Sequence, residues 1–142
     1  MKKLTQTITF KATPHEVFEL IMDSKKHSAF TGEKAVTSRK VGGKFKAYGK
    51  YISGENLEII KDKRIVQIWR ASDWPRGIYS KVSFEFEKSG KNTKLKFSQE
   101  GVPESQYAEI KEGWSDFYWG PMKKFLEKKR KKGLIAFLSA KL

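Results

Sequence analysis

The sequence predicts an α+β fold in which a curved antiparallel sheet packs against a long C-terminal helix, and three observations predict it. Leu4 to Phe10 alternates, with Leu4, Ile8 and Phe10 on one face and Thr5, Thr7 and Thr9 on the other, so the chain opens on a half-buried strand. A period of two returns between Lys34 and Gln99, broken by recurring turn signals, as in a meander. From Tyr107 onward apolar residues recur at three- and four-residue steps, the pattern of one long amphipathic helix.

After the first strand, Thr13-Pro14 supplies an N-cap and a proline at the first helical position, with Glu16 in the first turn. Val17, Phe18 and Ile21 then share a face, so a short helix is expected to about Met22; Ser24 to Phe30 reads as a second, stopped at Thr31-Gly32. Turn signals at Val41-Gly42-Gly43, Ser53-Gly54, Lys61-Asp62-Lys63, Trp74-Pro75-Arg76-Gly77 and Ser89-Gly90-Lys91-Asn92 separate strands at Lys44–Tyr51, Asn56–Ile60, Ile65–Ala71, Tyr79–Glu87 and Thr93–Gln99. In the last two, Val82, Phe84, Phe86, Leu95 and Phe97 alternate with polar residues, so one face is wet and one buried. The sheet is expected to have about six or seven strands, curled so that the long helix closes its concave face. That helix carries an apolar stripe of Tyr107, Ile110, Trp114, Phe117, Tyr118, Met122, Phe125 and Leu126. Pro121 would cost about 3 kcal/mol in a helix interior, so a kink or break is expected near Gly120-Pro121. No repeat or linker divides the chain: residues 1–142 read as a single domain, with a core at 4–126 and a basic, then apolar tail at 127–142.

A chain of 142 residues can bury about 70% of its unfolded surface, enough for one core. Only 38% of residues are apolar, but 13% are aromatic, so the core volume is concentrated in rings. Cysteine is absent, which excludes disulfides, thiolate metal sites and cysteine nucleophiles and makes a reducing cytoplasm the expected compartment. No apolar stretch approaches a membrane span of roughly 18 residues. Lys and Arg number 30 against 16 Asp and Glu, a net charge of +14 able to attract anionic partners. The lysines are spread over nearly every segment, as on a solvated basic surface.

Nothing in the chain spells a catalytic centre. His15 and His27 stand outside any metal-ligand spacing and read as surface residues. There is no nucleophile elbow, phosphate loop or paired carboxylate motif, and Glu100, Glu104 and Asp116 are isolated, so no catalytic residue, metal or cofactor is expected. The run Lys128–Lys132 could hold phosphates, but no nucleic-acid fold signature accompanies it, and specific nucleic-acid binding is not expected. Beside Leu134-Ile135-Ala136-Phe137-Leu138 the same run suits an anionic membrane surface, whereas docking of those apolar residues on this chain or a second copy is the plainer expectation.

The ordered set Ala29-Phe30-Thr31, Gly42-Gly43-Lys44-Phe45, Ser53-Gly54, Ile65-Val66-Gln67-Ile68-Trp69-Arg70, Trp74-Pro75 with Gly77, Gly101-Val102-Pro103 and Gly113-Trp114 resembles the C-terminal domain of the activator of heat shock protein 90 ATPase (AHSA) family, from about Leu4 to Leu126. The resemblance implies the helix-grip fold of the wider superfamily of START-like lipid-transfer domains and birch-pollen allergens, which agrees with the topology read from periodicity. It also implies a non-enzymatic co-chaperone that binds heat shock protein 90 and stimulates its ATPase. In the family's eukaryotic co-chaperones a separate N-terminal domain precedes this one, and nothing in these 142 residues corresponds to it.

Two binding surfaces are candidates. The rings Phe18, Phe45, Tyr48, Trp69, Phe84, Phe86, Phe97, Trp114, Phe117 and Tyr118, with Gln99, either pack as ordinary core or line a cavity between sheet and helix that takes a hydrophobic small molecule. Trp74 and Arg76, in a turn between strands, are candidate partner contacts; the alternative for Trp74 is that its ring folds back to plug the end of the fold.

Overall fold

The computed structural model describes residues 1–141; the tail position Leu142 lies outside the described residues. The chain runs β1 (Lys2–Phe10), α1 (Pro14–Met22), α2 (Ser24–Thr31), β2 (Lys44–Ala47), β3 (Ile52–Ile60), β4 (Arg64–Ala71), β5 (Ser80–Ser89), β6 (Asn92–Val102), a 3₁₀ turn at Glu104–Gln106, α3 (Tyr107–Trp114), a π-helical segment at Ser115–Trp119 and α4 (Gly120–Lys141). The strands form one open antiparallel sheet in the order β1-β6-β5-β4-β3-β2. The 6 strands meet the lower of the expected numbers, and the two short helices follow β1 as expected.

The first helix starts where its sequence says it should. Thr13 accepts from the Glu16 N–H at 3.2 Å while the Glu16 carboxylate accepts from the Thr13 N–H at 3.1 Å, a reciprocal cap worth about 1 kcal/mol. Pro14 occupies the first turn, where a missing N–H costs nothing. Val17, Phe18, Leu20, Ile21 and Met22 are buried, and Phe18 meets Phe86 of β5 edge-on at 5.6 Å.

Ser53-Gly54 is not a turn; both residues lie inside β3, opposite Lys46 and Phe45 of β2. A Cβ on Gly54 would clash with the Ile68 carbonyl oxygen and lie 2.7 Å from the Phe45 ring. Glycine is there because two strands and a ring crowd one spot, not because the chain reverses. The reversal falls earlier, where Tyr48 and Gly49 take φ of 50° and 69° and end β2 at Ala47.

The C-terminal helix also departs from the expected pattern. Its α-helical bonding is interrupted at Ser115–Trp119, where the Gly120 N–H reaches back five residues to the Ser115 carbonyl. The irregularity expected at Gly120-Pro121 is thus a π-helical segment just before the proline. Pro121 has no N–H for the Phe117 carbonyl four residues back, and the Tyr48 hydroxyl donates to that oxygen instead, at 2.6 Å. The extra residue in the π turn changes which rings face the sheet: Trp119, five residues after Trp114, is buried at 4% exposure, while Phe117 is turned out at 56%.

Candidate functional site

The interior between sheet and helix is filled by rings. Trp114 lies 4.4 Å from Phe97, 4.8 Å from Tyr118, 5.3 Å from Trp119 and 5.7 Å from Trp69, centroid to centroid. Such pairs contribute about 0.5–1.5 kcal/mol each beyond the area they bury. The space left beneath them is about 10 Å³, beside His27, Gln67 and Tyr118, roughly what one water needs. Phe18, Phe45, Phe84, Phe86 and Phe97 are therefore core residues. Gln99, read from sequence as a polar handle, is fully buried and already used: its Nε2 donates to Ser80 Oγ at 2.8 Å and its Oε1 accepts from Trp114 Nε1 at 2.8 Å.

At the open mouth of the fold there is a cleft of about 530 Å³. One wall comes from the sheet, through Tyr48 and Tyr51 of the β2–β3 turn, Ile52 of β3 and Trp69 of β4. The other comes from the helix, through Ile110, Gly113, Trp114, Phe117 and Tyr118, and Glu33, Gln106 and Glu109 complete the rim. Of the eleven residues expected around a cavity, this cleft brings together Tyr48, Trp69, Trp114, Phe117 and Tyr118. Tyr48 is its hinge point. It holds a left-handed backbone, its ring packs edge-on against Phe117 at 5.6 Å and Tyr118 at 6.0 Å, and burial with the nearby Glu33 charge pushes its phenol up to about 12.

His27 is not a surface residue: it is 4% exposed, on the inner face of α2 one turn before Phe30, which stacks on it at 5.0 Å. Its Nδ1 lies 3.0 Å from the Ile21 carbonyl and its Nε2 3.0 Å from the Tyr118 hydroxyl. A carbonyl can only accept, so Nδ1 carries the proton and Nε2 accepts from Tyr118. Desolvation holds the imidazole below its ordinary range and raises the Tyr118 phenol, so both are neutral at pH 7. The spacing of His27 and Phe30 on one helical face was the available signal. His15 is exposed as expected, 2.8 Å from Asp62.

Trp74 does not stand at a loop tip. It is 3% exposed, meets Trp69 edge-on at 5.4 Å and donates from Nε1 to Gln106 Oε1 at 2.7 Å, so it plugs the end of the fold. Burying an indole with its N–H satisfied gains more than leaving it in water. Arg76 remains exposed in the same turn. Among the described residues of the tail α4 continues, and Leu134, Ile135 and Leu138 are 52–64% exposed, not docked into the core. Among the described residues no group of three or more His, Asp or Glu could hold a metal ion, and no helix is long and apolar enough to cross a membrane.

A curated relative from Dictyostelium discoideum, "Activator of 90 kDa heat shock protein ATPase homolog", is 32% identical over 106 residues, covering 74% of this chain and 28% of that protein. The human "Activator of 90 kDa heat shock protein ATPase homolog 1" is 28% identical over 121 residues, covering 85% of this chain and 36% of that protein. The chain thus spans about a third of the length of these relatives. Among solved structures, an HSP90 activator from Plasmodium falciparum superposes with a TM-score of 0.83 at 29% identity, over 89% of this chain and 97% of that one. The Aha1 dimer from Colwellia psychrerythraea shares the fold, with a TM-score of 0.73 at 18% identity, over 84% of this chain and 92% of that one. The sequence profile of the family "Activator of Hsp90 ATPase homolog 1-like protein" matches residues 11–127, from the turn before α1 to the first turns of α4, and the chain belongs to that family.

Proposed function

We propose that this chain is a non-catalytic binding module of the activator type, which engages an Hsp90 chaperone and stimulates the chaperone's ATPase. The observation that carries the reading is the match to the P. falciparum HSP90 activator, whose chain this one covers almost end to end at 29% identity. With Trp74 inside, the contacts fall to Arg76 and the basic exterior, whose +14 charge suits an acidic partner surface.

The test is to add the protein to Hsp90 from the same source and follow ATP turnover and co-precipitation in low and physiological salt. Turnover should rise on addition, and binding should weaken several-fold as salt is raised, because exposed charges are screened over about 8 Å at physiological ionic strength. No binding even at low salt, by protein shown to be folded, overturns the reading.

The open cleft favours a second reading, the binding of a hydrophobic small molecule between sheet and helix. Its volume of about 530 Å³ is in the range of small-molecule sites, whereas the interior has no such room.

A further inference from the structure

The cleft at the mouth of the fold has a charge opposite to that of the molecule. Lys and Arg make up 30 of 142 residues, so twelve lining residues drawn at random would include about two or three of them. None of the twelve residues that line the cleft is Lys or Arg, and two are glutamates, Glu33 and Glu109. The carboxylates come from different elements, Glu33 after α2 and Glu109 on α3. Both are exposed, and among the described residues neither forms an ion pair. Their fields reach the aromatic walls: Glu33 contributes to the raised Tyr48 phenol and Glu109 to that of Tyr51. The described cation–π pairs, Lys2 on Tyr107 and Arg70 on Tyr79, lie elsewhere and leave the cleft rings unoccupied by internal cations.

We propose that this cleft selects an organic cation with an apolar body, such as a quaternary or protonated aromatic amine, held by the rings of Tyr48, Tyr51 and Phe117 with its charge near Glu33 and Glu109. Electron-rich ring faces attract cations, most strongly where water is partly excluded, and two unpaired carboxylates add a Coulomb term that a neutral ligand cannot use. The two carboxylates at the opening also repel anions of the same shape. The volume of about 530 Å³ suits a compact small molecule better than an extended peptide, which fixes the class of occupant. The inference rests on the second reading above, that the cleft is a ligand site, and adds what the ligand must carry.

The test uses three probes of similar shape, 2-naphthylmethylammonium, 2-naphthylmethanol and 2-naphthoate, titrated calorimetrically into the full chain and into a Glu33→Gln/Glu109→Gln variant. Both glutamates are exposed, so the variant should keep the native circular dichroism and melting temperature. The cation should bind wild type about tenfold or more tighter than the alcohol, with the carboxylate weakest. In the variant that gap should close to about twofold, with the alcohol's Kd unchanged. Equal binding of cation and alcohol to wild type overturns the cation preference while leaving the cleft a ligand site, and a full gap that survives in the variant overturns the part assigned to Glu33 and Glu109. Failure of both probes to bind overturns the site itself, and the preference with it.

Discussion

His27 shows how one buried side chain can make the whole fold sensitive to acid. Folded, its ring is wedged between the Ile21 carbonyl, Phe30 and the Tyr118 hydroxyl, and burial keeps it neutral below its ordinary pKa of 6.5. Unfolded, it protonates at that ordinary value, so the unfolded chain binds the extra proton first and the native state loses stability as pH falls below about 6.5. Glu19 behaves differently: its hydrogen bond from Arg39 lowers its pKa, so its contribution is present above 4.5 and fades only as pH falls below that. Urea midpoints between about pH 7.5 and about pH 5.5 therefore read His27 apart from Glu19. We expect the wild-type midpoint to fall across this interval, and His27→Gln to be less stable at the upper pH but flatter in its dependence. An unchanged slope in the variant would place the acid sensitivity in another group.

At the scale of the element, the π-helical segment and the β2–β3 turn depend on each other. Pro121 removes the N–H four residues on from the Phe117 carbonyl, and Tyr48 donates to that oxygen from a backbone held at φ 50°, a conformation that costs a tyrosine about 1 kcal/mol or more. Tyr48→Phe keeps the ring contacts with Phe117 and Tyr118 and removes only the donor. It should cost about 1 kcal/mol in urea denaturation with an unchanged spectrum, and an unaltered stability would mean that water serves the carbonyl as well. These couplings mark where the sequence stopped being legible. The strands, the capped first helix and the burial of Val82, Phe84, Phe86, Leu95 and Phe97 follow from periodicity, because each depends on neighbours two to four residues away. Gly54 reads as a turn in the sequence because its real constraint, the Phe45 ring and β4, comes from other strands. Trp119 escaped the helical stripe because the π turn shifts the register by one residue, and Trp74 looked available because Gln106, its partner, is distant in sequence. The cleft was half legible: its rings could be listed from the sequence, but Glu33 and Glu109 meet only through tertiary structure.

For the whole molecule, the compact unit and the end of α4 are separate matters. Residues 127–140 are exposed throughout, and the match to the family ends at 127. Five consecutive basic residues, Lys128–Lys132, are held together on that stretch, where their mutual repulsion opposes the helix. A chain ending at Glu127 should therefore melt within about 2 °C of the full chain, since exposed residues seldom contribute more than about 0.5 kcal/mol. A fall of about 10 °C would show that the extension braces the domain through contacts made in solution. The +14 surface and the carboxylate-rimmed cleft divide the molecule electrostatically, so a large acidic partner on the exterior and a small cation at the mouth need not compete.

The four tryptophans have an optical consequence. Trp74, Trp69, Trp114 and Trp119 form an unbroken chain of neighbours, at 5.4, 5.7 and 5.3 Å between successive rings, and run from the inter-strand loop through the sheet to the helix. Indoles so close share their excited states, so the near-ultraviolet dichroism of this protein is the signal of one coupled chromophore. The Trp69–Trp114 pair joins the sheet half of that chromophore to the helix half, so the part of the spectrum that depends on this link reports the closing of the helix onto the sheet.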